Sequence, residues 1–268
     1  MPELPEVETV RSAMQRHLLG ARITGVWTSR KRLREPLPRA RLASLVGDRF
    51  TRATRRAKYL LLDLDSKRTL LVHLGMSGNL LFRDNQVLHD HVVFSLDRFK
   101  LVFSDPRRFG MVLVLEPDEL EHCRYLQRIG PEPLSAAFDV DYMWSMCRAR
   151  ARPIKNLLLD GHVVAGIGNI YASEALFRAG IRPAVRASRL SKKRVAVLVE
   201  QIKAVLREAI RQGGTTVSDY LGSGHGGRFQ QQLAVYGRAD ENCTVCDAPM
   251  RSQVLAGRSS FYCPECQR

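Results

Sequence analysis

Four cysteines near the end of the chain have the spacing of a metal site. They form two pairs separated by sixteen residues, Cys243-x-x-Cys246 and Cys263-x-x-Cys266. Two such pairs supply four thiolates to one tetrahedral zinc ion and leave no position open for a catalytic water. The sequence therefore predicts one closed, structural zinc site on a β-ribbon. The remaining cysteines, Cys123 and Cys147, stand alone and are interpreted as small buried hydrophobic residues.

The first residues of the chain can supply a nucleophile. Met1 is followed by Pro2, a small residue that permits removal of the initiator methionine. An α-amino group has a pKa of about 7.7–8.0, against about 10.4 for lysine, so roughly a tenth of it is neutral at pH 7. A secondary amine that attacks a sugar C1′ forms an iminium directly, and the adjacent Glu3 can donate or shuttle a proton. The same residues also suit an ordinary helix start, and the motif alone leaves both interpretations open.

Positive charge is concentrated in one part of the chain. Residues 22–58 hold twelve lysines and arginines against two acidic residues. Arginine predominates there, and its guanidinium group matches the geometry of phosphate oxygens. A solvated surface that keeps the protein soluble is the alternative. Farther along, Gly166 to Asn169 read GIGN and precede a helix, where free backbone amides can hold a phosphate; a tight turn explains the glycines equally well.

The composition narrows the class of protein. The chain has 268 residues, with 42 basic and 27 acidic side chains and a formal net charge of +15. That excess favours a polyanionic partner, nucleic acid first and an anionic membrane surface second. No apolar run approaches the roughly 20 residues of a membrane span, and glutamates in the first turn are unlike a secretory leader. We therefore expect a cytoplasmic protein that binds nucleic acid.

The hydrophobic pattern divides the chain into segments. An amphipathic helix opens it, seven short apolar strands follow between residues 21 and 116, and helical patterns dominate after residue 142. The predicted fold class is α+β, with an N-terminal antiparallel β-sandwich or barrel, a helical region and a zinc ribbon. The predicted divisions are an N-terminal domain over 1–130, a linker over 131–142, a helical domain over 143–237 and a zinc finger over 238–268.

Several motifs, in order, resemble the formamidopyrimidine-DNA glycosylase family, bacterial enzymes that remove oxidised purines from DNA. They are MPELPEVET, RRAKYLLL, HLGMSG, DPRRFG, GIGNIYASEALF, QGGTT, VYGR and the paired CxxC ribbon. The resemblance spans the whole chain. It implies a β-sandwich with an N-terminal helix, a helix-two-turn-helix domain with a zinc finger, and double-stranded DNA as partner. It also implies β/δ-elimination of the strand after the base has been removed.

The resemblance assigns roles to residues at the opening of the chain. It implies that Pro2 is the nucleophile, that Glu3 is the acid that assists opening of the deoxyribose ring, and that Glu6 supports them. Lys58 of RRAKYL belongs to the catalytic group and is also expected to grip a phosphate beside the lesion. Phosphate contacts of this kind fix the position of DNA without selecting the lesion.

Other matched positions are expected to contact DNA. Asn169 and Arg258 would hold phosphates, while His89 and Lys155 match family positions near the DNA. Extruding a base leaves a space in the duplex that must be filled. The positions that match the family's space-filling residues are Met76, Arg107 and Phe109.

The resemblance leaves some questions open. A sister activity directed at pyrimidines uses the same amine, and a non-catalytic zinc protein that binds DNA is a further alternative. The loop expected to cover the lesion, from about Ser218 to Phe229, carries little recognisable pattern. Glu35 stands where many members have an aromatic residue. We expect a monomer associated with the bacterial nucleoid.

Overall fold

A computed structural model describes residues 2–214 and 233–268. The predicted lesion-covering loop, from about Ser218 to Phe229, lies outside the described residues. The described chain forms two compact units. The first comprises residues 2–127 with Gly213 and Gly214, and the second comprises residues 128–212 and 233–268.

The first unit is a sandwich of two four-stranded antiparallel sheets. One sheet has the order β1-β6-β7-β5 and the other has the order β2-β3-β4-β8. The strands are β1 (Ile23–Thr28), β2 (Phe50–Arg56), β3 (Tyr59–Leu64), β4 (Thr69–His73), β5 (Asn79–Phe82), β6 (Asp90–Leu96), β7 (Lys100–Ser104) and β8 (Met111–Leu115). The helices are α1 (Leu4–His17), α2 (Arg39–Ala43) and α3 (Pro117–Glu121).

The core of this unit lies between the two sheets. Alternate residues of β3 point inward, so that Leu60, Leu62 and Leu64 are buried while their neighbours are partly exposed. Helix α1 covers the same core with the residues that its periodicity predicts, among them Val7, Val10, Met14 and Leu18. Each such side chain contributes about 1.5–3 kcal/mol when it is fully buried.

The second unit is helical and carries a β-hairpin near its end. Its helices are α4 (Val140–Arg148), α5 (Ile154–Leu158), α6 (Asn169–Arg178) and α7 (Lys192–Arg211), and its strands are β9 (Arg251–Leu255) and β10 (Arg258–Tyr262). Helix α7 has 20 residues, and its N-cap Ser191 accepts a hydrogen bond from the backbone N–H of Arg194. The predicted fold class is confirmed: antiparallel sheets, then helices, then a cysteine-bearing hairpin.

Two details differ from the sequence prediction. Strand β2 has the sequence FTRATRR and was not predicted, because its arginines interrupt the apolar pattern. The segment predicted as a linker, 131–142, packs within the second unit instead of forming an exposed connection. Phe138 is fully buried there, and α4 begins inside the segment at Val140. Its prolines and acids suggested a linker, but they form the turns that lead into α4.

Two further predictions concern single residues and membrane spans. Cys123 and Cys147 are both buried, as predicted. Burial raises the pKa of the Cys147 thiol to about 11, which keeps it protonated and unreactive at neutral pH. Within residues 2–214 and 233–268, no helix is both long and apolar enough to cross a bilayer.

Candidate active site and nucleic-acid interface

The start of α1 fixes the position of Pro2. The backbone N–H of Glu3 donates to Glu6 Oε2 at 2.8 Å, and the Glu3 carboxylate accepts from the backbone N–H of Glu6. This reciprocal capping box satisfies backbone groups that a helix otherwise leaves without partners. Leu4 is fully buried immediately behind it. The N-terminal residue is therefore attached to a rigid element of the first unit.

Two buried carboxyl groups stand beside Pro2. Glu3 and Glu6 are each only 1% exposed. Gly214, which follows α7 in sequence and is counted with the first unit, comes up against Glu6: a Cβ at Gly214 would lie 2.7 Å from Glu6 Oε1. Its φ of +79° also suits glycine. Gly214 belongs to the QGGTT motif, so the sequence marked this residue without revealing its contact with Glu6.

Lys58 lies in a positively charged part of the first unit. It occupies the turn between β2 and β3, next to Ala57, whose φ is +52°. Burial, together with the positive charges of Arg34 and Lys58, lowers the pKa of His73 to about 4. The His73 ring is therefore neutral at pH 7. Its Nδ1 accepts a hydrogen bond from the backbone N–H of Gly75 at 3.0 Å.

His73 was missed by the sequence analysis, although it opens the HLGMSG motif. The signal was available only as part of that motif, because an isolated histidine at the end of a strand does not indicate a function. In the structure the positive charge of Lys58 lowers the pKa of His73, and the His73 ring accepts a hydrogen bond from the loop that carries Met76.

The predicted space-filling residues lie on two adjoining loops of the first unit. One loop connects β4 to β5 and carries Met76, and the other connects β7 to β8 and carries Arg107 and Phe109. Met76 is 40% exposed and Phe109 is 47% exposed, so both large apolar side chains are accessible from solvent. The Arg107 guanidinium lies over the Phe109 ring, 5.0 Å from its centroid. At the base of this loop the His89 carbonyl accepts from the backbone N–H of Asp105 at 2.9 Å.

The predicted DNA contacts of the second unit meet at the hairpin. Asn169 begins α6, and its Nδ2 donates to the Ser259 carbonyl at 3.1 Å. Lys155 Nζ donates to the same carbonyl at 2.9 Å and to Ser260 Oγ at 2.8 Å. Arg258 is exposed at the first position of β10. Three residues far apart in the sequence are thus brought to one hairpin.

The position of Lys155 differs from the expectation for a DNA contact. Its side chain is completely buried, and its ammonium group lies beneath the hairpin that carries Arg258. A lysine is rarely buried unless its charge is satisfied by hydrogen bonds or a partner. In this structure Lys155 supports the hairpin, and a direct contact with DNA stays a prediction.

Glu174 was also missed, and it anchors the VYGR motif. Its buried carboxylate accepts from three successive backbone N–H groups, those of Ala234, Val235 and Tyr236, at 2.9–3.0 Å. Glu174 belongs to GIGNIYASEALF, so the contact joins two of the motifs. In the same motif Gly166 has a φ of +75°, which a turn before α6 requires.

The four predicted metal ligands come together at the hairpin. Their sulfur atoms all lie within 4.8 Å of one another, and the closest Sγ–Sγ distances are 3.4–3.9 Å. Thiolates at the corners of a tetrahedron, each about 2.3 Å from the metal, are about 3.8 Å apart. The cluster therefore fits one metal ion with four protein ligands.

Comparison with known proteins assigns the chain to a family. The profile of the formamidopyrimidine-DNA glycosylase N-terminal domain matches residues 1–112, and that of the H2TH domain of the same enzyme matches residues 129–220. The chain belongs to the formamidopyrimidine-DNA glycosylase family. This confirms the resemblance that the motifs indicated.

Individual relatives agree with this assignment over their whole length. Formamidopyrimidine-DNA glycosylase of Thioalkalivibrio sulfidiphilus is 48% identical over 273 residues, and that of Acidithiobacillus ferrooxidans is 45% identical, with all of both chains covered in each case. The family assignment confirms the predicted enzyme class, a DNA glycosylase.

Solved structures show the same fold. A Lactococcus lactis formamidopyrimidine-DNA glycosylase mutant, in complex with DNA containing Fapy-dG, is 31% identical and superposes with a TM-score of 0.92 over 100% of both chains. The Thermus thermophilus MutM protein is 39% identical, with a TM-score of 0.88 over 99% of this chain and 98% of that chain. The helical region between the sandwich and the hairpin is thus the helix-two-turn-helix domain.

Proposed function

We propose that this chain removes oxidised purines, 8-oxoguanine and formamidopyrimidines, from double-stranded DNA and then cleaves the strand at the resulting site. The observation that carries the proposal is the capping box that holds Pro2 next to the buried carboxyl groups of Glu3 and Glu6. Once Met1 is removed, the Pro2 nitrogen is a secondary amine that is held in a fixed position next to the carboxyl groups of Glu3 and Glu6. Such an arrangement suits covalent catalysis at a sugar carbon.

The proposed chemistry begins with attack of the Pro2 nitrogen on C1′ of the damaged nucleotide. The bond from C1′ to the base breaks, the base leaves with the bonding electrons and the proton of the Pro2 amine, and a C1′–N bond joins the sugar to Pro2. Glu3 then protonates the sugar ring oxygen, the bond from C1′ to that oxygen breaks, and the deoxyribose opens to an iminium between C1′ and Pro2. The iminium then accepts electrons while β-elimination and δ-elimination remove the 3′ and 5′ phosphates.

The proposed contacts to DNA come from both units. Lys58 in the first unit and Asn169 and Arg258 in the second bind phosphates around the lesion, a role that fixes position rather than sequence. Met76, Arg107 and Phe109 fill the space of the extruded nucleotide. The exposure of Met76 and Phe109 supports this role, because it leaves both apolar side chains accessible to DNA.

The proposed metal is one structural Zn²⁺. Four thiolate ligands at tetrahedral separations favour zinc, and a site with four protein ligands has no position for a reacting water. The ion would hold Cys243, Cys246, Cys263 and Cys266 together and so stabilise the hairpin that carries Arg258. We further propose that the enzyme acts as a monomer in the bacterial cytoplasm, bound to nucleoid DNA.

Borohydride trapping tests the proposed function. The protein without Met1 is incubated with a duplex containing 8-oxoguanine, borohydride is added, and the crosslinked peptide is mapped by mass spectrometry. We expect one reduced adduct at Pro2. A matched preparation that retains Met1 has Pro2 locked in an amide and should give none.

Other outcomes would contradict the proposal. Normal binding of the duplex without any adduct would indicate a non-catalytic DNA-binding protein. An adduct that forms only with oxidised pyrimidines would indicate the sister specificity.

A further inference from the structure

A buried carboxylate joins the two loops that carry the proposed space-filling residues. Asp105 is fully buried. Its Oδ1 accepts a hydrogen bond from Ser77 Oγ at 2.7 Å, and its Oδ2 accepts from the backbone N–H of Gly110 at 2.7 Å. Ser77 directly follows Met76, and Gly110 directly follows Phe109. One carboxylate therefore binds the neighbour of each exposed apolar side chain.

The hydroxyl of Ser77 also links the loops. Its Oγ accepts a hydrogen bond from the backbone N–H of Arg107 at 3.2 Å while its own proton is donated to Asp105. The Ser77 hydroxyl thus bridges the Asp105 side chain and the Arg107 backbone, both of which belong to the DPRRFG loop. Hydrogen bonds to a charged group are stronger than neutral ones, by roughly a factor of two.

The backbones of the two loops are packed against each other. A Cβ at Gly75 would lie 2.5 Å from the Gly110 nitrogen and 2.5 Å from the Phe109 carbonyl carbon. Real Cβ atoms do not come this close to other atoms, so only glycine allows the contact. The backbones of the two loops are therefore in close contact at Gly75.

Asp105 is in turn held by the sandwich. Its carbonyl oxygen lies 3.0 Å from His91 Nε2, and His91 Nδ1 lies 3.0 Å from Ser29 Oγ. Because a carbonyl oxygen can only accept, Nε2 donates the proton and Nδ1 accepts one from the Ser29 hydroxyl. His91 is buried within β6. The pair of loops is therefore attached to the frame of the first unit.

We propose that Asp105 is a positioning residue that makes these loops one rigid body, so that Met76, Arg107 and Phe109 enter DNA together. The inference rests on the proposed function, in which these three side chains replace the extruded nucleotide. Filling the duplex requires unstacking that costs a few kcal/mol. Side chains held in place before binding lose less conformational entropy on insertion than side chains on independent loops.

The test removes the bridging hydroxyl with Ser77→Ala and restores a hydroxyl with Ser77→Thr. The probe is a duplex with an uncleavable tetrahydrofuran abasic site and 2-aminopurine opposite it, whose fluorescence rises when the base is unstacked. In stopped-flow mixing we expect Ser77→Ala to slow this rise about 3- to 10-fold, the range that one hydrogen bond of typical net strength supports. Ser77→Thr should return the rate to within about twofold.

A matched control separates positioning from general stability. Thr69 Oγ donates to Asp63 Oδ1 at 2.8 Å, a part-buried hydroxyl–carboxylate contact like that of Ser77 with Asp105, at the opposite end of β4 from the Met76 loop. Thr69→Val should lower the unfolding temperature about as much as Ser77→Ala without slowing the fluorescence change. Amide hydrogen exchange should accelerate at Arg107 in Ser77→Ala and not in Thr69→Val.

Clear results would overturn the inference. They are an unchanged rate in Ser77→Ala, an equal slowing in Thr69→Val, or no fluorescence change with the wild-type protein. The duplex cannot be cleaved, so these results do not depend on Pro2. Failure of borohydride trapping would instead overturn the proposed function. The stopped-flow rates of the wild-type protein and the variants would still test the inference, because they do not require cleavage.

Discussion

Glu3 illustrates how one side chain can have a structural and a chemical role. As the N-cap of α1, Glu3 accepts a hydrogen bond from the backbone N–H of Glu6 through its carboxylate. The backbone N–H of Glu3 in turn donates to the Glu6 carboxylate. That exchange fixes the direction in which Pro2 leaves the helix. The sequence marked Glu3 and Glu6 as candidate catalytic residues, whereas the capping box and the burial of both carboxyl groups are seen only in the structure.

His73 and Asp105 show the limit of reading single residues. Each lies within a motif, but neither type nor spacing indicates its partners. His73 interacts with Lys58 from another turn, and Asp105 binds Ser77 across 28 residues of sequence. Contacts between distant segments are decided by strand pairing, which the local pattern does not specify.

The first prediction concerns the pH dependence of stability through His73. Its pKa is lowered to about 4 in the folded protein from 6.5, so between these values the unfolded chain binds a proton that the native state excludes. The contribution of the buried neutral His73 ring to the free energy of unfolding is therefore complete above about pH 6.5 and is lost as the pH falls toward 4. His73→Asn keeps an acceptor near Gly75 but cannot titrate.

Urea unfolding at pH 7 and pH 5 checks this prediction. Relative to His73→Asn, the wild-type protein should lose about 1–2 kcal/mol of unfolding free energy on going from pH 7 to pH 5. Equal losses in the two proteins would contradict it.

At the scale of elements, the hairpin was predicted from the sequence and strand β2 was not. The hairpin was predicted because two CxxC pairs at this separation are typical of a zinc site on a β-ribbon. β2 was missed because five of its seven residues are polar and exposed or partly exposed, and only Phe50 and Ala53 are buried. Pairing with β3 along its whole length, not apolar content, makes this segment a strand.

The second prediction concerns the contact between the two loops that carry Met76 and Phe109. Gly75→Ala places a Cβ against the backbone of the other loop and also strains a φ of +64°. Gly20→Ala is the matched control, since its φ is +78° but nothing lies within 4 Å of the new Cβ. Strain in φ should cost each variant about 1 kcal/mol. Gly75→Ala should lose a further 1–3 kcal/mol, roughly the cost of overpacking.

Chemical denaturation of both variants measures the difference. Equal unfolding free energies for Gly75→Ala and Gly20→Ala would show that the loops separate easily, contrary to the packing described above.

At the scale of the whole molecule, the proposed phosphate contacts are divided between two units with separate cores. Lys58 belongs to the sandwich, whereas Asn169 and Arg258 belong to the helical unit and its hairpin. The division lies after Gln127, close to the predicted end of the N-terminal domain at 130. Phe138, within the segment 131–142 that was predicted as a linker, is part of the helical core.

The third prediction uses the salt dependence of DNA binding. Each lost phosphate contact reduces the slope of log K against log salt concentration by about 0.9 for duplex DNA. Lys58→Ala and Arg258→Ala should each reduce it by about that amount, and the double variant by about 1.8, because contacts with separate phosphates add. The charge-preserving Lys58→Arg and Arg258→Lys should keep the wild-type slope.

Fluorescence anisotropy with a tetrahydrofuran duplex between about 50 and 200 mM salt covers the informative range. A double variant with the slope of either single variant would show that the two residues do not contact separate phosphates.

Patterns of neighbouring residues were enough to determine the N-terminal helix, most strands, the helical character of the chain after residue 142 and the four metal ligands. These features depend on periodicity, on caps and on ligand spacing, all of which act over a few residues. Only the tertiary structure decided that Lys155 is buried under the hairpin, that Gly214 meets Glu6, and that Asp105 joins two loops. Those contacts arise when packing brings together segments that local chemistry leaves independent.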